Sequence, residues 1–303
     1  MGFKRTTLLG RASRILFMQF RWKKEIARAH LYRIISTIFF LRGTLLLKKL
    51  ANLPDFPASA CTNKDYVELT LRGAQSTYDL MNKLNSKVPK VKIYELSNLH
   101  FESNTEAISI QRLKEKFDYY GSDKASTHNY HELYNKIFSR TGKIPQRILE
   151  IGIGSNNRSI PSTMGPFGKP GASMRAWRSL ADNVEVIGLD IDESILFQED
   201  GIHTYLLDQT SEESWQAVMP RLNALAFDLI IDDGLHAPFA NIFSILMLKN
   251  NLSITGTYVV EDIHERALPI WQLVGSLMQD EFESMIIGTK SAYCYVFWKH
   301  VKS

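Results

Sequence analysis

Two short apolar runs in this chain each end in a pair of adjacent acids, Ile230-Ile231-Asp232-Asp233-Gly234-Leu235-His236 and Val259-Val260-Glu261-Asp262. If the runs are neighbouring parallel strands, the acids converge at their carboxyl ends, and mutual repulsion makes that cluster costly unless a cation neutralises it. Oxygen donors without thiolates suit a hard ion, Mg2+ or Mn2+, better than zinc. His236 follows Asp233 by three residues, so its imidazole can face the same point and act as general base. His264, two residues beyond Asp262, is a second candidate. The plainer alternatives are solvated strand-end acids and a surface or capping histidine.

A second constellation suits a nucleoside. Glu150-Ile151-Gly152-Ile153-Gly154 closes another apolar run, and glycines there let a ligand approach the backbone at the carboxyl end of a strand. Gly188-Leu189-Asp190-Ile191-Asp192 closes the next, placing Asp190 where a carboxylate can accept both hydroxyls of a ribose. The spacing from the glycines to Asp190 exceeds the ~20 residues of a dinucleotide fingerprint, owing to an inserted segment between them, so a standard NAD site is not expected. Asp208 and Gln209, after Leu207, offer an acid and an amide to adenine or else form a strand-end turn.

These groups need a scaffold that brings several strand ends together. Strands are expected over Arg147 to Ile153, Val184 to Ile191, His203 to Leu207, Phe227 to Asp232, Tyr258 to Asp262, Glu283 to Ile287 and Ala292 to Trp298. Helical-period segments fall between the first five, at Ser173 to Leu180, Glu193 to Gln198, Glu212 to Leu222 and Phe239 to Leu248, with Leu268 to Met278 after the fifth. Such alternation implies a parallel, doubly wound α/β sheet. Only Gly288 to Ser291 separates the last two strands, too few residues for a crossover, so they form an antiparallel hairpin at the sheet edge.

The rest of the chain bounds the function. With 303 residues, 45% of them apolar, disordered and fibrous classes are excluded. Residues 1–50 hold twelve Lys or Arg and a single acid, Glu25, which leaves 24 basic and 31 acidic residues in the remainder. The positive overall charge of +4 therefore comes entirely from the amino-terminal segment, and the acidic body is not expected to bind nucleic acid. Ile15, Leu16, Phe17, Phe20, Trp22 and Ile26 recur among the basic residues at helical intervals, as in an arm that docks on a partner, on its own body or on an anionic membrane surface. No transmembrane helix or secretory signal is expected, because the run Ile34 to Leu41 is too short and basic residues interrupt every other candidate. Two distant cysteines, Cys61 and Cys294, fit a cytoplasmic protein. Pro54 and Pro57 mark a boundary, giving a basic arm and linker over 1–60, an accessory region over 61–116 and an α/β domain over 117–303.

Arg147 to Gly154, Gly171 to Trp177, Gly188 to Asp192, Leu207 to Gln209, Asp232 to His236 and Glu261-Asp262, taken in order, resemble the metal-dependent sugar O-methyltransferases of class I, S-adenosylmethionine type, typified by enzymes that methylate deoxysugars on mycinamicin and related macrolides. Upstream, Tyr120-Gly121-Ser122-Asp123-Lys124 and His128 to Tyr134 are similar to the glycine-serine/threonine-aspartate-lysine segment preceding that fold. The likeness covers about residues 117–300 and none of 1–115.

The resemblance implies a Rossmann-like class I methyltransferase fold, a seven-stranded mostly parallel sheet. It implies that Glu150, Gly152, Gly154 and Asp190 hold S-adenosyl-L-methionine, with Asp208 and Gln209 near the adenine and Ser122, Lys124, Tyr130, Ser173 and Asp232 as further contacts. It assigns Asp233, Glu261 and Asp262 to Mg2+ (or Mn2+) and His236 to proton removal. The acceptor it implies is a sugar hydroxyl of a glycan, glycolipid or glycosylated metabolite, and the enzymes it points to are often homo-oligomers. Leu235 stands where the family commonly has serine and Glu261 where aspartate is common, and the insertion Ser155 to Pro170 is this chain's own, so the acceptor pocket is its least transferable part. A catechol or phenol acceptor satisfies the same metal chemistry, and a non-catalytic adaptor carried by the basic arm is the alternative from another class.

Overall fold

The apolar runs pair into one sheet whose strand order is β1-β8-β9-β7-β6-β2-β3-β5-β4. The strands are β1 (Ile93–Glu95), β2 (Arg147–Ile151), β3 (Glu185–Asp190), β4 (Gln198–Glu199), β5 (Ile202–Leu206), β6 (Phe227–Asp232), β7 (Leu252–Ile263), β8 (Phe282–Gly288) and β9 (Tyr293–Lys299). The helices are α1 (Ile110–Tyr120), α2 (Asp123–Ser126), α3 (Tyr130–Thr141), α4 (Ala172–Arg178), α5 (Glu212–Leu222), α6 (Pro238–Leu248) and α7 (Leu268–Met278). This computed structural model describes residues 91–100, 108–160 and 162–300. The arm and linker expected over 1–60, and residues 61–90 and 101–107 of the accessory region, lie outside the described residues.

β7, β6, β2, β3 and β5 run parallel, and β9 is antiparallel to both β7 and β8. These seven strands form the expected Rossmann-like class I methyltransferase sheet, including the carboxyl-terminal hairpin. Two further strands extend it: β1 adds parallel to β8 and β4 antiparallel to β5. Both are too short to show a period-two pattern in the sequence.

Central strands are apolar on both sides because helices cover both faces. Ile148, Val186 and Leu229 pack towards α1, α3 and α4, while their neighbours Leu149, Ile187 and Ile230 pack towards α5, α6 and α7. On the first side Trp177 is fully buried, with Phe117 at 4.8 Å and Tyr134 at 4.9 Å in edge-on contact. Truncating such a residue costs roughly 3–5 kcal/mol.

Two expectations need correction. The boundary placed at 116/117 falls inside α1, whose Leu113 and Phe117 are fully buried in the same core as α4, so the α/β body begins upstream of it. The helix expected over Glu193 to Gln198 is a single 3-10 turn, Glu193–Ile195. Asp192 caps that turn by accepting from the Ser194 amide (3.1 Å), and the Thr204 hydroxyl accepts from the Phe197 amide (2.6 Å), drawing the chain into β4.

The segment before β2 positions one side chain. α1 ends at Gly121 with φ 80°, and the amides of Gly121 and Ser122 both donate to the Phe117 carbonyl at 2.9 Å. That left-handed stop favours glycine. Ser122 then caps α2 by accepting from the Lys124 amide at 3.4 Å, and Lys124 is carried into the interior beneath the strand ends.

Candidate active site

The loops that follow β2, β3, β5, β6 and β7 open on a cavity of about 420 Å3. Ser122, Lys124, Tyr130, Gly152, Gly154, Ser173, Asp190, Asp208, Gln209, Asp233, His236 and Asp262 border it, as their sequence positions imply. Glu150, Asp232 and Glu261 do not: all three are 0% exposed and lie behind the wall.

Lys124 explains how these acids coexist. Its ammonium is 2.8 Å from Asp233 Oδ2 and 3.4 Å from Glu150 Oε1, and it donates to Glu261 as well. Burial opposes the charge, but Asp233, Glu261 and Glu150 outweigh it and hold the Lys124 proton well above the ordinary lysine range. Burial pushes the Asp233 carboxyl up, yet Lys124 and His236 hold it below its usual value. Glu261 is pushed well up by burial, and its oxygens are engaged by Lys124 and by the Tyr134 hydroxyl. The repulsive cluster expected from the sequence thus contains a cation of its own.

The acids expected to share a metal therefore divide. Asp233 and Asp262 reach the cavity together with His236, and these three offer ligand atoms within 4.8 Å of one another. Two carboxylates with no thiolate beside them are hard oxygen donors that fit a small divalent cation, and the imidazole lies within reach of the same point. Glu261 is fully buried, contacts the same Lys124 ammonium and does not border the cavity. His236 Nε2 lies 4.0 Å from Asp262 Oδ2, and Tyr130 donates its hydroxyl to Asp262. His236 (φ 56°) and Asp262 (φ 54°) are the only non-glycine residues with left-handed backbone among the described residues. Each such conformation costs on the order of 1–3 kcal/mol, and that cost concentrates where function constrains the chain.

In the loop after β2, Gly152 has φ 82° and Gly154 φ 89°. A Cβ on Gly152 would stand 2.2 Å from the Asp233 carbonyl, so this glycine lets the β2 and β6 loops touch. Asp190 accepts from the amides of Ile153 and Asp192, both at 2.9 Å, and burial raises its carboxyl above the usual range. Asp208 forms a turn by accepting from the Thr210 amide (2.9 Å) and hydroxyl (2.7 Å) while still bordering the cavity. Glu150 accepts from the Trp177 indole at 3.0 Å and lies beside Lys124, a support under the site and not a wall of it. Asp232 accepts from Gln209 at 2.7 Å, and burial raises its carboxyl to about 6.

His264, the second candidate base, is exposed and caps a 3-10 turn by accepting from the Arg266 amide at 3.1 Å, outside the cavity. His128 carries no signal of its own in the sequence beyond its place in the upstream segment. It stacks on Tyr130 at 4.7 Å, stands 3.7 Å from Asp262 Oδ1, contacts Ser291 at 2.6 Å and borders the cavity. Tyr134 and Asp192 were missed too: the first bonds Glu261, the second the Ser155 hydroxyl at the root of the insertion. Each lies within a motif already noted, His128 and Tyr134 in the upstream segment and Asp192 two residues after Asp190. The insertion is ordered by its own bonds, including Thr163 to the Ser155 carbonyl (2.9 Å), and by Ser162 donating to the Gly234 carbonyl (2.7 Å) over the cavity.

Part of the chain is similar to curated bacterial enzymes. It is 28% identical over 153 residues to the 8-demethyl-8-alpha-L-rhamnosyl tetracenomycin-C 2'-O-methyltransferase of Streptomyces olivaceus, a stretch covering 50% of this chain and 38% of that enzyme. It is 30% identical over 130 residues to the mycinamicin VI 2''-O-methyltransferase of Micromonospora griseorubida, covering 43% and 30%. The resemblance is to sugar O-methyltransferases. The chain thus matches well under half the length of these relatives. Among solved structures, a methyltransferase from the mycinamycin biosynthetic pathway in complex with Mg and SAH overlays with a TM-score of 0.49 at 24% identity, covering 62% of this chain and 54% of that one. No protein-family profile matches the chain.

Proposed function

We propose that this protein is an S-adenosylmethionine-dependent O-methyltransferase that modifies a sugar hydroxyl of a glycan, glycolipid or glycosylated metabolite with the help of a divalent cation. The observation that carries the reading is that one cavity is bordered both by Gly152, Gly154 and Asp190 and by Asp233, His236 and Asp262. The sugar acceptors in the names of the curated relatives support the substrate class.

S-adenosylmethionine, when bound, supplies an electrophilic methyl group on a sulfonium. A cation held by Asp233 and Asp262 supplies Lewis acidity that lowers the pKa of an acceptor hydroxyl. The chain does the rest. Asp190 offers its carboxylate at the end of β3 to the ribose, and the glycine backbone admits the cofactor closely. His236 Nε2 takes the hydroxyl proton, and Asp262 at 4.0 Å stabilises the resulting imidazolium. Lys124 keeps Asp233 ionised. Ser162, Thr163 and Met164 of the insertion also border the cavity, where they contribute to the acceptor side.

The test is calorimetric titration of S-adenosylmethionine with and without Mg2+, followed by detection of S-adenosylhomocysteine when pooled glycosylated acceptors are added. Cofactor binding with product that disappears on chelation and returns with Mg2+ is the expected result. No cofactor binding under either condition overturns the reading. In the same proposal residues 1–50 hold the protein at an anionic membrane surface and the protein works as a homo-oligomer. No helix among the described residues is long and apolar enough to cross a membrane.

A further inference from the structure

Gln209 is 6% exposed and sits between three parts of the segment that carries Asp233 and His236. Its Nε2 donates to Asp232 Oδ1 at 2.7 Å, at the end of β6, and to Ser244 Oγ at 2.8 Å, on α6. Its Oε1 accepts from the Leu235 amide at 3.0 Å, in the loop between them. A side-chain amide has two N–H donors, and both are taken by these partners. The opposite orientation would set the carbonyl against Asp232 and the amino group against an N–H, so the partners fix the assignment. The fit is close, since a Cβ on Gly234 would stand 2.4 Å from Gln209 Oε1. Its own carbonyl, in turn, accepts from the Trp215 indole at 3.1 Å, which anchors the residue to α5.

The bonds span both ends and the middle of a loop that must hold His236 in the left-handed region. That conformation is unfavourable for a residue with a Cβ and persists only where the surroundings fix it. We propose that Gln209 is a positioning residue for Asp233 and His236, a clamp tying β6, the loop and α6 together, and that its side chain does not read the adenine. The inference rests on the methyltransferase reading above and deepens it.

The test compares the wild type with Gln209→Glu, a near-isosteric change that sets a carboxylate against Asp232, and with Ser244→Ala, which removes one partner from the α6 side. Cofactor affinity by calorimetry and KM for S-adenosylmethionine should stay within about threefold of wild type. kcat should fall on the order of 10²-fold in Gln209→Glu, as expected for misplaced catalytic groups, and less in Ser244→Ala. Amide hydrogen exchange at Leu235 should accelerate in Gln209→Glu, a readout that needs no turnover. A raised KM for S-adenosylmethionine with kcat and Leu235 exchange unchanged would overturn the proposal and return Gln209 to the adenine. If Gln209→Glu does not fold, Ser244→Ala decides alone: unchanged kcat and unchanged exchange sink the clamp. Wild-type protein that neither binds the cofactor nor turns over marks the failure of the methyltransferase reading instead, while Leu235 exchange still reports on the clamp.

Discussion

Replacing Lys124 by methionine leaves Glu150 and Glu261 in the interior, and Asp233 at the cavity wall beside them, without the ammonium that all three contact. Breaking a buried ion pair from one side costs about 3–5 kcal/mol, so Lys124→Met should lower the urea midpoint by that equivalent. A loss under about 1 kcal/mol would mean that the three carboxyls share protons instead of needing the ammonium. His236→Ala should leave cofactor affinity intact while reducing methyl transfer by roughly 10²–10⁴-fold, the range of a lost general base. Turnover retained in that variant would remove His236 from the mechanism. His131, buried on α3, titrates below its usual 6.5 because of burial, with Glu132 opposing and Lys114 assisting. The native state binds this proton less readily than the unfolded chain, so the associated stability is present above the unfolded pKa and lost as pH falls below it. The Tm of the wild type relative to His131→Gln should therefore be flat above about pH 7 and fall towards about pH 5.

At the scale of elements, the site depends on how strand ends are turned. Gly152 is the contact between the β2 and β6 loops, and an alanine there would set a Cβ 2.2 Å from the Asp233 carbonyl at φ 82°. Gly152→Ala should lower stability by the strain of the left-handed backbone, on the order of 1–3 kcal/mol, and should also shift the loop bearing His236. Thermal unfolding together with methyl transfer checks this: a change in stability without a change in turnover would show that the two loops are not mechanically linked. The helix stop at Gly121 and the Ser122 cap work in the same way upstream, since they aim Lys124 at acids more than a hundred residues away.

At the scale of the molecule, charge is divided between a basic amino-terminal segment and an acidic remainder. Each basic residue near an anionic bilayer adds about 1 kcal/mol of attraction, screened by salt. The full chain should co-sediment with phosphatidylserine-containing vesicles at low ionic strength and detach at high, whereas a chain lacking residues 1–50 should not bind. Equal binding of both forms to neutral and anionic vesicles would exclude the electrostatic role of the arm.

The sequence by itself determined the sheet and most of the cavity wall. Near-continuous apolar runs such as Ile148 to Ile151 reflect burial on both faces, and acids or glycines closing each run mark the strand ends, signals that survive in one dimension because they are local. The upstream segment is legible as a motif, yet α1 and α3 are not legible as helices, since their buried faces depend on Trp177 across the core. Only the tertiary structure decided which acids face the cavity. Asp232 and Asp233 are adjacent and chemically alike, yet one points back to Gln209 and the other forward to Lys124. Glu261 and Asp262 divide in the same way at a left-handed turn. No local pattern distinguishes them, because their roles are set by partners that approach from distant parts of the chain.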